Sequence, residues 1–104
     1  MRVDALGRIQ LGFVGPTKTD AMVACLEALS SVMRERTDLI IDIRELDGHN
    51  IETRDLWKAW LGKHKRQIRS VVVVLRRAMA LHRMVTAAVG LAVGIRIEVA
   101  EEVP

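Results

Sequence analysis

The stretch DIRELDGHNIETRDLW, residues 42–57, concentrates side chains that could do chemistry. Asp42 and Asp47 could act as a general acid and base, and His49 is a third group able to titrate near neutral pH. However, aspartate, glycine and asparagine are also the residues that favour turns and helix N-caps. We therefore predict a turn at DGHN with Asn50 as the N-cap of a helix, and we rank a hydrolase using Asp42, Asp47 and His49 last among the functional hypotheses.

A second stretch, GFVGPTKT, is nearly a phosphate-binding P-loop and lies between a predicted strand and a predicted helix. Thr17 replaces the glycine that lets the backbone wrap the phosphates, and Pro16 removes one of the amide donors. We therefore interpret this stretch as a strand end followed by a helix cap, not as a nucleotide site.

Metal and thiol sites are not predicted. His49, His64 and His82 show none of the paired spacings that zinc sites use. Cys25 lies on the predicted inward stripe of the first helix, where a thiol usually serves as a small buried apolar group. Because Cys25 is the only cysteine, no intrachain disulfide can form, which agrees with a reducing compartment. No metal or cofactor is expected.

Charge is unevenly distributed along the chain. The formal net charge is only +3, but no acidic residue occurs between residues 56 and 97. A solvated basic face explains this pattern, and so does a docking surface for an acidic partner, a phosphate-bearing ligand or nucleic acid. The candidate anion-binding residues are Lys58, Lys63, Lys65, Arg66, Arg76, Arg77 and Arg83.

Size and composition indicate one domain. The chain has 104 residues, of which half are hydrophobic and only 3% are aromatic, so aliphatic side chains must build a thin core. The N-terminus shows no basic-then-apolar leader, and the longest apolar runs are far shorter than a membrane span. We therefore expect a single cytoplasmic domain, residues 1–104, without a membrane span.

Periodicity predicts the order of the elements. Ile9, Leu11 and Phe13 alternate as in a strand, and MRVDAL before them is a candidate hairpin partner. LIIDI, SVVVVL and IRIEV are further strands, the second buried on both faces and the third at an edge. Helices are predicted over about residues 18–36, after Asn50, and from about residue 78. The inward residues of the last helix are predicted to be Leu81, Met84, Val85, Ala88 and Leu91.

The predicted order, (β)βαβαβαβ, indicates an α/β fold with about three helices and a mostly parallel sheet of four or five strands. Three segments carry a family resemblance: IQLGFVGPTKTDAMVACL, LIIDIREL and NIETRDLW. Together they resemble the STAS-like superfamily, most closely its SpoIIAA-like, or anti-sigma-factor antagonist-like, group. The resemblance covers about residues 9–99 and implies a single STAS-like domain. The family's C-terminal helix is expected to be missing, because the sequence ends at VAEEVP just after the last predicted strand.

In the antagonists that the chain resembles, a partner kinase phosphorylates a serine just before the second helix, in a run similar to Asp-Ser-Ser-Gly-Leu. IETRDL matches this run, with Glu52 in place of the aspartate, Thr53 in place of the acceptor and Leu56 in place of the leucine. Arg54 and Asp55 replace the second serine and the glycine, and the preceding loop is about two residues longer. The resemblance implies Thr53 as a candidate phospho-acceptor.

The leading hypothesis is a non-enzymatic regulatory module of the STAS type that binds another protein, and that phosphorylation at Thr53 would control. The resemblance implies a kinase, an anti-sigma-like protein or another regulator as the partner. The loop and helix that would contact it supply Asp47, Gly48, His49, Asn50, Glu52, Arg54 and Trp57.

The alternative hypothesis is binding of a small molecule or a lipid headgroup, because SpoIIAA-like sequences resemble a lipid-carrier fold and the basic segment supplies cations for an anionic group. This hypothesis predicts a pocket near Trp57, Trp60 and Met84. Nucleic-acid binding through the basic C-terminal half ranks third. A homodimer is also a candidate assembly, because Met79, Met84, Trp57 and Trp60 supply more large apolar side chains than a thin domain easily covers.

Overall fold

Residues 1–48 and 50–104 are described by a computed structural model. In this part of the chain, five strands and three helices form a compact α/β domain, which confirms the predicted fold class and element order. The strands are β1 (Arg2–Val3), β2 (Ile9–Pro16), β3 (Thr37–Asp47), β4 (Ile68–Val74) and β5 (Ile97–Ala100). The helices are α1 (Thr19–Val32), α2 (Ile51–His64) and α3 (Ala80–Val93), and a 3-10 turn (Lys65–Gln67) follows α2.

The strands form one sheet in the order β1-β2-β3-β4-β5, in which β1 is antiparallel to β2 and all the other pairs are parallel. Each parallel pair is joined by a helix, and right-handed crossovers place successive helices on the same face. Core side chains from β2, β3 and β4, such as Leu11, Ile41 and Val73, pack against these helices. The carboxyl ends of β2, β3 and β4 therefore meet at one edge of the sheet.

The strand β3 is longer than the pattern LIIDI predicts. It continues beyond Ile43 to Asp47, and after a register shift Val14 pairs with Glu45 and Pro16 with Asp47. Asp42 and Arg44 are tolerated within β3 because they alternate with the core residues. They lie on the face of the sheet opposite the core, where they form an ion pair of 2.7 Å. Hydrogen bonds from Arg44 lower the pKa of Asp42.

Helix α1 ends at Val32, four residues before the predicted end at residue 36. The helical spacing of apolar residues continues to Met33, and Arg34, Glu35 and Arg36 do not disfavour a helix, so the sequence does not mark an end at Val32. Instead, the Thr37 hydroxyl donates to the Arg34 carbonyl oxygen at 2.7 Å and accepts from the Arg34 amide at 3.1 Å. This tight turn directs the chain into β3.

The predicted inward face of α3 is wrong in four of its five residues. Leu81, Met84, Ala88 and Leu91 are exposed, and only Val85 packs against the core. The side that faces the sheet includes Val85, Val89, Gly90 and Val93. Because α3 is apolar almost all round, its periodicity cannot select a face.

Each of the three described helices has 14 residues. At 1.5 Å per residue this is a length of about 21 Å, less than the roughly 30 Å of a bilayer core. Among the described residues, no helix is long and apolar enough to cross a membrane.

The hairpin that joins β1 and β2 is organised by Asp4. Its carboxylate accepts hydrogen bonds from the Leu6 and Arg8 amides, from Arg8 Nε at 2.7 Å and from Gln10 Nε2 at 2.8 Å. Removal from solvent raises the pKa of Asp4, but these hydrogen bonds outweigh that effect and bring the pKa down to about 2.

Asp4 should therefore contribute to acid sensitivity. Its folded pKa is below its unfolded value, so its contribution to stability is present above about pH 4 and is lost as the pH falls towards about 2. Asp4→Asn should flatten the decline of the free energy of unfolding over this interval, measured by urea denaturation at several pH values. Glu35→Gln, an exposed carboxylate with no ion pair in the described residues, should keep the wild-type slope. An equal slope in Asp4→Asn and wild type would contradict the assignment.

Candidate functional site

Asn50 makes the contacts that begin α2. Its Oδ1 accepts from the Glu52 amide at 2.9 Å and from the Thr53 amide at 3.4 Å, so the predicted N-cap is confirmed. Its Nδ2 donates to the carbonyl oxygen of Thr17 at 3.3 Å. Asn50 thus joins the start of α2 to the loop that precedes α1.

Glu52 lies where the amino-terminal ends of α1 and α2 come together. The Thr19 hydroxyl, at the start of α1, donates to Glu52 Oε2 at 2.8 Å. A carboxylate is stabilised near two helix N-termini, because the unpaired amides there carry partial positive charge. Glu52 is exposed and has a structural partner at this edge of the sheet.

A cavity of about 360 Å³ opens at the same edge, between α2, α3 and the sheet. It reaches into the core, and its apolar walls come from these three elements and from Met22 of α1. The apolar lining residues are Phe13, Pro16, Met22, Ile41, Ile43, Leu46, Trp57, Leu61, Val71, Val73, Val85, Val89 and Ile97. Pockets of this size and lining are typical of sites for small molecules.

Polar groups lie among these apolar walls: Thr17, Asp47, Gly48, Asn50, Thr53, Arg54, His82 and Thr86. Asp47 and Gly48 are exposed, as expected at a rim. Arg54 forms an ion pair of 3.0 Å with Asp55. His82 Nε2 lies 2.7 Å from the Gly48 carbonyl oxygen, which can only accept, so His82 donates and ties α3 to the loop after β3.

The two tryptophans have different roles. Trp57 lines the cavity and meets Phe13 edge to face, with ring centroids 6.2 Å apart. Trp60 is buried outside the cavity lining and donates from Nε1 to the Ser30 hydroxyl at 2.8 Å, which joins α2 to α1. Of Trp57, Trp60 and Met84, the residues expected near a pocket, only Trp57 lines the cavity. Trp60 is buried elsewhere, and Met84 is on the exposed side of α3.

Thr53, the candidate phospho-acceptor, lies in the first turn of α2. Its side chain is only 8% exposed, and its hydroxyl donates to the Asn50 carbonyl oxygen at 2.9 Å. A kinase would therefore need the first turn of α2 to open before it could reach this hydroxyl. Phosphorylation of Thr53 stays a prediction.

The seven candidate anion-binding residues are not gathered at the cavity. Lys63, Lys65 and Arg66 precede β4, whereas the three arginines Arg76, Arg77 and Arg83 follow it, and β4 spans about 20 Å. Lys58 is exposed on α2. Arg54, outside the basic segment, is the cation that lines the cavity among the described residues.

The hydrolase hypothesis is not supported by the geometry. Asp42 is five residues before Asp47 along an extended strand, a separation of about 17 Å, and its carboxylate pairs with Arg44 on the face opposite the core. His49 lies outside the described residues. Burial raises the pKa of the Cys25 thiol, which makes it less nucleophilic. Within residues 1–48 and 50–104, no three or more His, Cys, Asp or Glu side chains are grouped so as to hold a metal ion.

Several cavity residues were missed by sequence reasoning, notably Thr17, His82 and Thr86. They come from the β2–α1 loop and from α3, far along the chain from residues 47–57. The tendency of α/β proteins to place sites beyond the carboxyl ends of parallel strands could have indicated Thr17. No comparable signal indicated Thr86, because the orientation of α3 was not predictable.

Fold and site together define an α/β domain with an apolar cavity at the carboxyl edge of its sheet. A scan against models of protein families finds no match, and searches of curated proteins and of solved structures find no significant match. The STAS resemblance stays a prediction, and function is inferred from the cavity.

Proposed function

We propose that this protein binds a small amphipathic molecule in the cavity between α2, α3 and the sheet. The observation that carries the proposal is the apolar cavity of about 360 Å³, which opens among polar groups at the sheet edge. The apolar body of the ligand would lie against Phe13, Trp57 and Val89. Its polar end would lie at the rim near Asn50 and Arg54.

The cavity volume sets the size of the ligand. At about 30 Å³ for a water-sized group, 360 Å³ holds roughly a dozen non-hydrogen atoms. At about −0.5 kcal/mol per atom, within the range for small ligands, a molecule of this size gains about −6 kcal/mol, or a Kd on the order of tens of micromolar. The ligand class is therefore a medium-chain or single-ring amphiphile, not a long-chain lipid.

Arg54 favours an anionic polar end. Its guanidinium is the lining cation in the described residues; its ion-pair partner Asp55 does not line the cavity, and the lining carboxylate of Asp47 is exposed at the rim. Arg54 also lies in the first turn of α2, where the helix dipole attracts negative charge. Decanoate has about a dozen non-hydrogen atoms and tests this class, with decylamine as a cation of similar length. Decanoate should change the tryptophan fluorescence saturably, because Trp57 lines the cavity, and it should bind more tightly than decylamine.

Filling the cavity should abolish this binding. Thr86→Phe places a ring into the cavity from α3 and should weaken decanoate binding at least tenfold, because the ligand and the ring cannot occupy the same volume. Isothermal calorimetry would measure the Kd. The matched control is Ala87→Phe, the next residue of α3, which is exposed and should leave binding unchanged.

Two results would overturn the proposal: decanoate affinity in Thr86→Phe equal to wild type, or an equal loss in Ala87→Phe. The polar end is tested separately by Arg54→Gln against Lys58→Gln, since Lys58 is an exposed cation of the same helix that does not line the cavity. Only the first of these should reduce the preference for decanoate over decylamine.

A regulatory interaction of the STAS type is the second proposal. It is supported by the exposure of Asp47, Gly48, Ile51 and Glu52 around the start of α2, where another protein could contact them. Mass spectrometry of the protein isolated from its source would test the proposed control by phosphorylation. A phosphate on Thr53 would support it, and an unmodified Thr53 under every growth condition would argue against it.

A further inference from the structure

One side of α3 is apolar and faces solvent. Leu81, Met84 and Leu91 are 55%, 70% and 86% exposed, and the exposed positions between and beside them are mostly alanine. We call this surface the α3 outer face. Its residues are Leu81, Met84, Ala87, Ala88, Leu91 and Ala92.

Cations lie at both ends of the α3 outer face. Arg83 is exposed near its amino-terminal end, and Arg96 is exposed just beyond its carboxyl-terminal end. Arg77 also lies near the amino-terminal end, but it forms an ion pair with Glu101 at 3.4 Å. Lys65 Nζ is packed beside Gly94, the residue that ends the helix. No acidic residue occurs in α3, and within the described residues neither Arg83 nor Arg96 forms an ion pair. The surface is therefore apolar and flanked by positive charge.

This charge pattern argues against a second copy as the occupant. Two copies meeting through this face would bring cations together with no acidic residue of α3 to pair them. The helix is about 21 Å long and 10–12 Å wide, so its footprint is about 200 Å², whereas a stable interface needs about 800 Å² per partner. The other side chains cited for a homodimer do not help, because Met79 and Trp60 are buried and Trp57 lines the cavity.

The shape of the face argues against an acidic protein segment. Helical or extended peptides are held by grooves whose pockets receive their anchor side chains. The α3 outer face is one side of a surface helix, and none of Leu81, Met84 and Leu91 lines the cavity. A convex apolar ridge with cations at its ends is instead the pattern of helices that lie in the interface of an anionic bilayer.

We propose that the α3 outer face docks onto an anionic lipid bilayer. Leu81, Met84 and Leu91 enter the boundary between headgroups and acyl chains, while Arg83 and Arg96 contact the anionic headgroups. The helix lies parallel to the membrane plane. This docking does not require a ligand in the cavity and stands apart from the proposed function.

Vesicle co-sedimentation of the full chain tests the docking. The protein should bind vesicles of phosphatidylcholine with about one third phosphatidylserine at least tenfold better than phosphatidylcholine alone, and the difference should vanish near 1 M salt, where charges are screened beyond about 3 Å. The double variant Met84→Glu with Leu91→Glu should lose at least tenfold in affinity. Val14→Glu is the control, since Val14 is 81% exposed on β2, away from α3.

The arginines provide an independent test. Arg83→Gln and Arg96→Gln should each weaken binding to phosphatidylserine vesicles about fivefold, without effect on binding to phosphatidylcholine alone. The proposal is overturned if the Met84 and Leu91 variant sediments like wild type, or if vesicle charge makes no difference. It is also overturned if light scattering shows a dimer that the Met84→Glu, Leu91→Glu variant abolishes, because the face would then be occupied by a second copy.

Discussion

Replacing Gly90 with alanine should lower the free energy of unfolding by about 1–3 kcal/mol, although alanine is the better helix former. A Cβ at residue 90 would lie 2.9 Å from the Ile95 carbonyl oxygen and 3.4 Å from Ile97 Cγ1. The nearer atom belongs to the backbone, so no side-chain rotation can relieve the contact. The Ile95 amide also donates to the Gly90 carbonyl oxygen at 3.0 Å, which holds the two segments together.

Gly62 provides the matched control for this prediction. It also lies within a helix, but it is exposed, and a Cβ there would meet only Val93 Cγ1 at 3.9 Å, an ordinary contact. Gly62→Ala should therefore raise the free energy of unfolding by about 0.5–1 kcal/mol. Urea denaturation followed by circular dichroism measures both variants. Equal stabilities for Gly90→Ala and Gly62→Ala would show that α3 does not pack closely on the segment leading into β5.

The element order could be predicted from the sequence because each element carries a local signal. Alternation in IQLGF and IRIEV, and the β-branched run SVVVV, reflect the number of faces that each strand buries. Asn50 was predictable as an N-cap because its side chain satisfies amides only two and three residues further along. Such interactions join residues that are close along the chain, so they can be predicted without knowledge of the tertiary packing.

A pocket near Trp57 was predicted, but most of the cavity lining could not be, because the lining depends on how distant segments pack. Its walls combine Phe13 of β2, Ile43 of β3, Trp57 of α2 and Val89 of α3. The orientation of α3 decides whether residues such as Thr86 enter the site, and a helix that is apolar all round does not encode that choice in its periodicity. The same ambiguity produced the wrong inward face for α3 and concealed its exposed face.

Replacing Thr53 with glutamate should lower the free energy of unfolding by about 2 kcal/mol or more. Thr53 is buried, and its hydroxyl donates to the Asn50 carbonyl oxygen at 2.9 Å. Glutamate removes this donor and places a carboxylate among the apolar cavity walls. The attraction of the helix N-terminus for negative charge returns only about 0.3–1 kcal/mol, so desolvation outweighs it. Thermal and urea denaturation would measure the loss.

Ile51→Glu separates the effect of burial from the effect of charge. Ile51 occupies the same first turn but is 59% exposed, so a carboxylate there gains the attraction of the helix dipole without desolvation and should leave stability unchanged or slightly higher. If Thr53→Glu is as stable as Ile51→Glu, the native fold accepts a negative charge at residue 53, and control by phosphorylation gains support. If Thr53→Glu alone is destabilised, a phosphate on Thr53 would act by opening the start of α2. It would then disturb the rim of the cavity, and the regulatory and ligand-binding proposals would concern one site.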